Sequence, residues 1–195
     1  MKILSVDPSY SNFAVNLFDT DNKEILLSHN IKFSSLSSLK KIEKEQFLNI
    51  DYNNLTDKEK SYYKEIWDNI RLNYFVTFIK EVYVNYGYDV VVTESQFVQT
   101  MSDVFASVRL ASVVNNKALP FYSYKSKSWN KILFNDGGMD SKKAKEITRN
   151  KLKELGYDFG SCQDLYDSFA ILLSYIKSEH KDIFDNDFWN KLRVK

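Results

Sequence analysis

KILSVDPS at residues 2–9 and YDVVVTE at residues 88–94 are two short apolar runs, and each leads directly into an acidic residue, Asp7 or Glu94. Short runs rich in Val and Ile, bounded by turn residues, predict buried strands. A helical pattern over 57–85 separates them, so strand, helix and strand form a crossover, which favours parallel pairing. If the two strands are parallel neighbours, both acids emerge at the same edge of the sheet.

The rest of the chain supplies further strands and helices around this pair. Strands are predicted at 12–18, 24–33 and 119–124, and helices at 101–116, at about 140–155 and at 163–178. We therefore expect an α/β fold with a mixed five-stranded sheet flanked by helices. Residues 1–195 should form one domain, with a polar insertion at about 34–56 and a tail at 179–195 to which the pattern assigns no element.

Composition limits the functional classes. The chain has 195 residues with 44% apolar and 27% charged residues, which is typical of a globular domain. Its one cysteine, Cys162, cannot close an internal disulfide or build a zinc site with two histidines. No apolar run is long enough to span a bilayer. These features favour a cytoplasmic protein with no membrane partner.

Positive charge is concentrated in one part of the sequence. Residues 117–153 hold ten Lys or Arg against three acids, a net charge of +7, whereas the whole chain carries +1. Such a block is typical of a phosphate-binding face. A solvated helix surface explains the same block equally well.

Four carboxylates are the candidate metal ligands: Asp7, Glu94, Asp164 and Asp167. An acid at the end of a buried strand is costly unless it is paired or bound to a cation. Asp164 and Asp167 are three residues apart at the start of a helix, so they share a face, although helix capping also explains Asp164. A set of oxygen ligands favours Mg²⁺, with Mn²⁺ as a substitute. Two such ions roughly 3.5–4 Å apart can hold a phosphodiester, one activating water and the other stabilising the leaving oxygen.

These motifs resemble those of the RuvC family of Holliday-junction resolvases, as a phage-type or divergent member. ILSVDPS is similar to the family's first acidic strand, VVVTESQF to its second, and QDLYDSFAILL to its final D-x-x-D helix. SKSWNKILFNDGGMDSKKAKEI is similar to its lysine-bearing stretch. The 87 positions from Asp7 to Glu94 exceed the family's spacing, and the insertion at 34–56 accounts for the excess.

The resemblance implies a ribonuclease H-like fold, a location in the host cytoplasm if the chain is phage-encoded, and roles for further residues. Phe97 matches an aromatic residue that stacks on an unpaired base, although a core phenylalanine is the alternative. Lys131 matches a lysine near the scissile phosphate, and one of Lys142, Lys143 and Lys145 matches a second, with Lys143 favoured. All four lysines are candidate DNA contacts. The helix at 101–116 matches the element through which family members form a homodimer.

The resemblance therefore implies a crossover junction endodeoxyribonuclease that nicks opposed strands of four-way junctions, with other branched DNA as further substrates. The alternative is a branched-DNA-binding protein of the same fold with weak or relaxed cleavage. An actin-like or sugar-kinase-like ATPase shares the fold, but five glycines in 195 residues leave little for its Gly-rich phosphate loops.

Overall fold

The computed structural model contains a five-stranded sheet with helices on both faces. It describes residues 1–9, 11–36, 39, 44, 48, 51–95, 102–115, 117–136 and 138–192. The strands are β1 (Lys2–Pro8), β2 (Asn12–Asp19), β3 (Glu24–Lys32), β4 (Val90–Glu94), β5 (Val113–Val114), β6 (Lys117–Ala118) and β7 (Phe121–Tyr124). The helices are α1 (Asp57–Tyr86), α2 (Ser102–Ala111), α3 (Ser126–Phe134), α4 (Ser141–Glu154), α5 (Gln163–Glu179) and α6 (Asn186–Leu192), and 3₁₀ turns lie at Tyr52–Asn54 and Lys181–Ile183.

The strand order in the sheet is β3-β2-β1-β4-β7, and the pairing is mixed. β1, β2 and β3 form an antiparallel meander, whereas β4 lies parallel to β1 and β7 lies parallel to β4. The predicted mixed five-stranded sheet is confirmed, and so is the parallel pairing of the two acidic strands. β5 and β6 form a separate two-stranded hairpin.

Alternation along β1 and β4 decides which side chains meet each layer of helices. Successive strand residues point to opposite faces of a sheet. Leu4, Val6 and Val91 pack in the core under α1 and α2. Ile3, Val90 and Val92 pack in the other core, with α3, α5 and α6. The same period places Asp7 and Glu94 on the α5 face.

Helix α5 is buried between the sheet and the outer helices. Twelve consecutive residues, Leu165–Ile176, are buried, as expected for a mostly apolar helix that is covered on every side. Polar contacts near its N-terminus fix it to the sheet. The Ser168 hydroxyl donates to the Ser5 carbonyl over 3.2 Å, and the Asn16 amide donates to the Leu165 carbonyl over 3.0 Å. These contacts set the position of the helix that carries two of the four acids.

Three parts of the chain differ from the sequence-based expectation. Helix α3 was not predicted; its N-cap, Lys125, makes no side-chain capping bond. The helix expected at 101–116 ends at Ala111, and Val113–Val114 begins the β5–β6 hairpin. The unassigned tail contains α6, whose Trp189 is 2% exposed. Eleven of the 23 residues of the 34–56 insertion lie outside the described residues.

No helix among the described residues combines the length and the apolar character needed to cross a membrane.

Candidate metal-binding site

Asp7 and Glu94 lie next to each other at the carboxyl ends of β1 and β4. The parallel register pairs Val6 with Thr93, the residues that precede the two acids. Asp7 is the sixth residue of β1, and Glu94 is the last residue of β4. Both line one pocket of about 330 Å³. The structure therefore brings the two acids together as the sequence predicted.

Asp164 and Asp167 approach Asp7 from the first two turns of α5. Asp164 is partly exposed in the first turn, and Asp167 is 6% exposed one turn further along. The N-cap of α5 is Cys162 and not Asp164. One carboxylate oxygen each from Asp7, Asp164 and Asp167 lies within 4.8 Å of the other two. Three of the four predicted ligands thus form one compact cluster, with Glu94 beside it in the pocket.

The cluster concentrates negative charge around Asp7. Burial raises the pKa of the Asp7 carboxyl well above its usual range, and the charges of Glu94, Asp167 and Asp164 raise it further. The Lys145 ammonium opposes this shift in pKa. A carboxylate held in such surroundings gains from a bound cation, because the cation offsets both the desolvation and the repulsion.

Asp167 is held by two neighbours. The Gln163 amide donates to Asp167 Oδ1 over 2.9 Å and also to the Lys145 carbonyl over 3.3 Å, so it ties α5 to α4. Lys145 Nζ lies 3.9 Å from Asp167 Oδ2. Burial nevertheless raises the pKa of Asp167 to about 6, with the Gln163 hydrogen bond and the Lys145 charge acting in the opposite direction.

The lysines predicted from the resemblance occupy different places. Lys145 lines the pocket, whereas Lys142 and Lys143 do not. Both are exposed in the first turn of α4, where the Asp140 carboxylate caps the helix by accepting hydrogen bonds from their backbone N–H groups. The sequence favoured Lys143 as the lysine at the site, whereas the structure favours Lys145. Lys131 is likewise exposed on α3 outside this pocket.

Sequence reasoning missed several residues that complete the pocket. Lys127 lines it from α3, one turn before Lys131. The remaining lining residues are Trp129, Asn130, Met139 and Ala144. The spacing of Trp129, Ile132 and Leu133 could have revealed α3 as a helix with one buried face. Phe97, the predicted stacking residue, lies outside the described residues.

The chemistry of the cluster fits a hard divalent cation. Its ligands are carboxylate oxygens, which Mg²⁺ and Mn²⁺ prefer over nitrogen or sulfur. Asp7, Glu94, Asp164 and Asp167 would hold such ions, and two ions would polarise a phosphodiester and lower the pKa of a bound water. The fold and this site together define a chain of ribonuclease H-like architecture with an acidic, metal-compatible centre.

Comparison with solved structures gives the fold a precedent. Thermus thermophilus RuvC matches with a TM-score of 0.62 at 16% identity, over 94% of this chain and 98% of that one. The same bacterium's RuvC in complex with a Holliday junction substrate gives 0.60 at 15% identity, with the same coverage. The fowlpox virus Holliday junction resolvase gives 0.50 at 15% identity, over 91% and 99%. No protein-family model matches the chain, and no curated protein matches it. The chain has the RuvC fold, and the predicted resemblance is confirmed at that level.

Proposed function

We propose that this protein is a Mg²⁺-dependent endonuclease that nicks opposed strands of four-way DNA junctions and of other branched DNA. The observation that carries the proposal is the convergence of Asp7, Asp164 and Asp167 oxygens within 4.8 Å, beside Glu94, in a fold shared with RuvC. Residues 1–195 would act as one nuclease domain with an insertion at about 34–56.

The residues of the acidic cluster and those around it have different roles in the proposed reaction. The four carboxylates would hold two metal ions, whose chemistry would be to activate a water and to stabilise the leaving 3′ oxygen, and the expected products are ligatable ends with a 5′-phosphate. Gln163 keeps Asp167 Oδ1 oriented through its 2.9 Å hydrogen bond. Lys145 and Lys127, at the pocket, offset charge that develops on the attacked phosphate.

The outer basic residues bind the DNA backbone. Lys131, Lys142 and Lys143 are exposed on α3 and α4, and lysines of this kind contact phosphates without reading sequence. Phe97 would stack on an unpaired base near the crossover. Two copies, joined through the segment at 101–116, would present two sites to the two strands of a symmetric junction.

Cleavage of a synthetic four-way junction by Asp7→Asn tests the assignment. We expect the variant to lose nicking in Mg²⁺ and in Mn²⁺, while Asp182→Asn, an exposed acid in the 3₁₀ turn after α5, cuts like wild type. Equal rates for Asp7→Asn and wild type would show that the site is elsewhere. Tight junction binding by wild type with no nicking in either metal would favour the binding protein.

A further inference from the structure

The pocket that contains the acids also has apolar residues in its lining. Its charged residues are Asp7, Glu94, Asp167, Lys127 and Lys145. The rest of the lining, the apolar side, consists of the Trp129 indole, the Met139 thioether and the Ala144 methyl group, together with the Asn130 amide. These residues come from α3, from the segment before α4 and from α4 itself.

Metal and phosphate binding do not account for the apolar side. Indole, thioether and methyl groups are poor ligands for hard divalent cations and for phosphate oxygens. The cavity of about 330 Å³ also falls within the range of roughly 300–1,000 Å³ of pockets that enclose small organic ligands. The pocket therefore has the volume, and its apolar side the chemical character, to bind an organic group as well as ions.

Core packing explains part of this surface, but not all of it. Trp129 is 4% exposed and Ala144 is 5% exposed, and Trp129 also packs edge-to-face on Phe134. The buried side chains of Trp129 and Ala144 therefore form a rigid part of the pocket wall. Met139 packs against the same core, but it is only partly buried and lies outside the helices, so its flexible side chain can adjust to a ligand. Asn130, 7% exposed, adds an amide that carries both a donor and an acceptor.

We propose that the apolar side binds the nucleoside directly attached to the scissile phosphate, with Met139 and Ala144 against its base or sugar and Asn130 at a polar edge of the base. This rests on the proposed endonuclease function. If the carboxylates hold the phosphodiester, the group next to it along the strand is a deoxyribose with its base. A pocket continuous with the phosphate site receives that nucleoside first, and the nucleoside lies on either the 5′ or the 3′ side of the cut.

Abasic substitution tests the inference on the intact protein. Nick positions are first mapped on a four-way junction, and matched junctions then carry one abasic site immediately 5′ or immediately 3′ of the nick. We expect single-turnover cleavage in Mg²⁺ to slow on the order of 10-fold for one of the two positions, and to change little for the other. That difference also identifies the side of the cut that the pocket holds.

A variant that fills the pocket provides a second test of the proposal. Ala144→Leu should slow cleavage of the intact junction by a similar factor and abolish the difference between intact and abasic substrates. Asn150→Leu, which adds the same side chain at an exposed position of α4, should behave like wild type. The rise in Tm on adding Mg²⁺ should persist in Ala144→Leu, which reports a folded protein with intact carboxylates. Should Ala144→Leu fail to fold, Met139→Ala replaces it and should reduce the abasic effect.

The outcomes separate the two proposals. Wild type that nicks the junction equally fast with and without the abasic sites overturns the nucleoside pocket and leaves the nuclease assignment standing. An abasic effect that persists unchanged in Ala144→Leu places the base contact elsewhere and also overturns it. If wild type does not nick any branched substrate, this result overturns both the proposed function and the nucleoside pocket.

Discussion

Asp167 is a buried carboxylate in the second turn of α5, and its pKa is raised to about 6. Without metal, Asp167 is ionised in the folded protein above pH 6, although it is buried. This ionisation lowers the free energy of unfolding, and that loss is its cost. Below the ordinary carboxyl pKa of 3.8 the group is protonated in both folded and unfolded states, and the cost vanishes. Between pH 4 and 6 the cost grows as pH rises.

We accordingly predict that Asp167→Asn stabilises the metal-free protein. In EDTA at pH 8 its free energy of unfolding should exceed that of wild type by on the order of 2 kcal/mol, and the gain should shrink below pH 6 and disappear near pH 4. Adding Mg²⁺ should raise the Tm of wild type more than that of the variant, since bound ligand stabilises the folded state. Urea unfolding across pH measures this. A variant less stable than wild type at pH 8 in EDTA would contradict the raised pKa.

Lys145 and Lys143 are two residues apart on α4, yet only Lys145 lines the pocket. We predict that Lys145→Ala lowers the single-turnover cleavage rate at saturating protein by at least about 10-fold, because the ammonium offsets charge developing on the phosphate. Lys143→Ala should instead weaken junction binding and reduce its salt dependence, as expected for a phosphate contact. The reverse pattern, with the larger rate loss in Lys143→Ala, would restore the assignment favoured from the sequence.

At the scale of elements, the docking of α5 on β1 determines where Asp164 and Asp167 lie. The hydroxyls of Ser5 and Ser168 are 3.0 Å apart, and both side chains are fully buried. Ser174, further along the same helix, is equally buried, but it donates to the carbonyls of Trp129 and Ala170. The two serines thus offer matched probes of the metal end of the helix and of its far end.

We predict that Ser168→Ala and Ser174→Ala each lower the free energy of unfolding by about 1 kcal/mol, the usual effect of removing a buried hydrogen bond. Only Ser168→Ala should raise the Mg²⁺ concentration needed for half-maximal cleavage, because Ser168 adjoins Asp167 and joins α5 to the strand that carries Asp7. Metal titrations of both variants check this. Equal Mg²⁺ requirements would mean that the Ser5–Ser168 contact has no role in positioning the acids.

Elements with regular periodicity could be predicted from the sequence, and those set by tertiary contacts could not. The alternation of β1 and β4 fixes the face of Asp7 and Glu94, so local pattern was sufficient there. Helix α3 has only nine residues and no side-chain N-cap bond, so its ends carried little signal, although the spacing of Trp129, Ile132 and Leu133 indicated its buried face. Helix α2 stops at Ala111 where Ser112 donates to the Arg109 carbonyl and the chain turns into the β5–β6 hairpin.

The choice among the lysines of α4 depends on the whole molecule. Lys142, Lys143 and Lys145 are equivalent in the sequence pattern, and the packing of α4 against α5 distinguishes them. Gln163 joins the two helices by donating to the Lys145 carbonyl as well as to Asp167. A contact between residues 18 positions apart leaves no periodic signal, which is why the site's lysine could not be chosen from spacing alone.

The arrangement of α2 in the whole molecule bears on the proposed homodimer. Its Val104, Val108 and Ala111 are buried, so this face is committed to the chain's own core. Leu110, in contrast, is 61% exposed, and Val113 just beyond the helix is 40% exposed. A second copy that docks on this segment would therefore contact the outward side of α2 and the start of the hairpin.

We predict that Leu110→Glu disrupts the dimer, because a charge placed in an apolar contact between copies is costly to desolvate. Val84→Glu is the matched control, since Val84 is 81% exposed on α1. In sedimentation velocity, wild type and Val84→Glu should show twice the 22.9 kDa chain mass, and Leu110→Glu should show the single mass. On a symmetric junction, paired nicks should become single nicks in Leu110→Glu, because one copy presents one site to two strands. A Leu110→Glu dimer with paired nicks would place the interface on another surface.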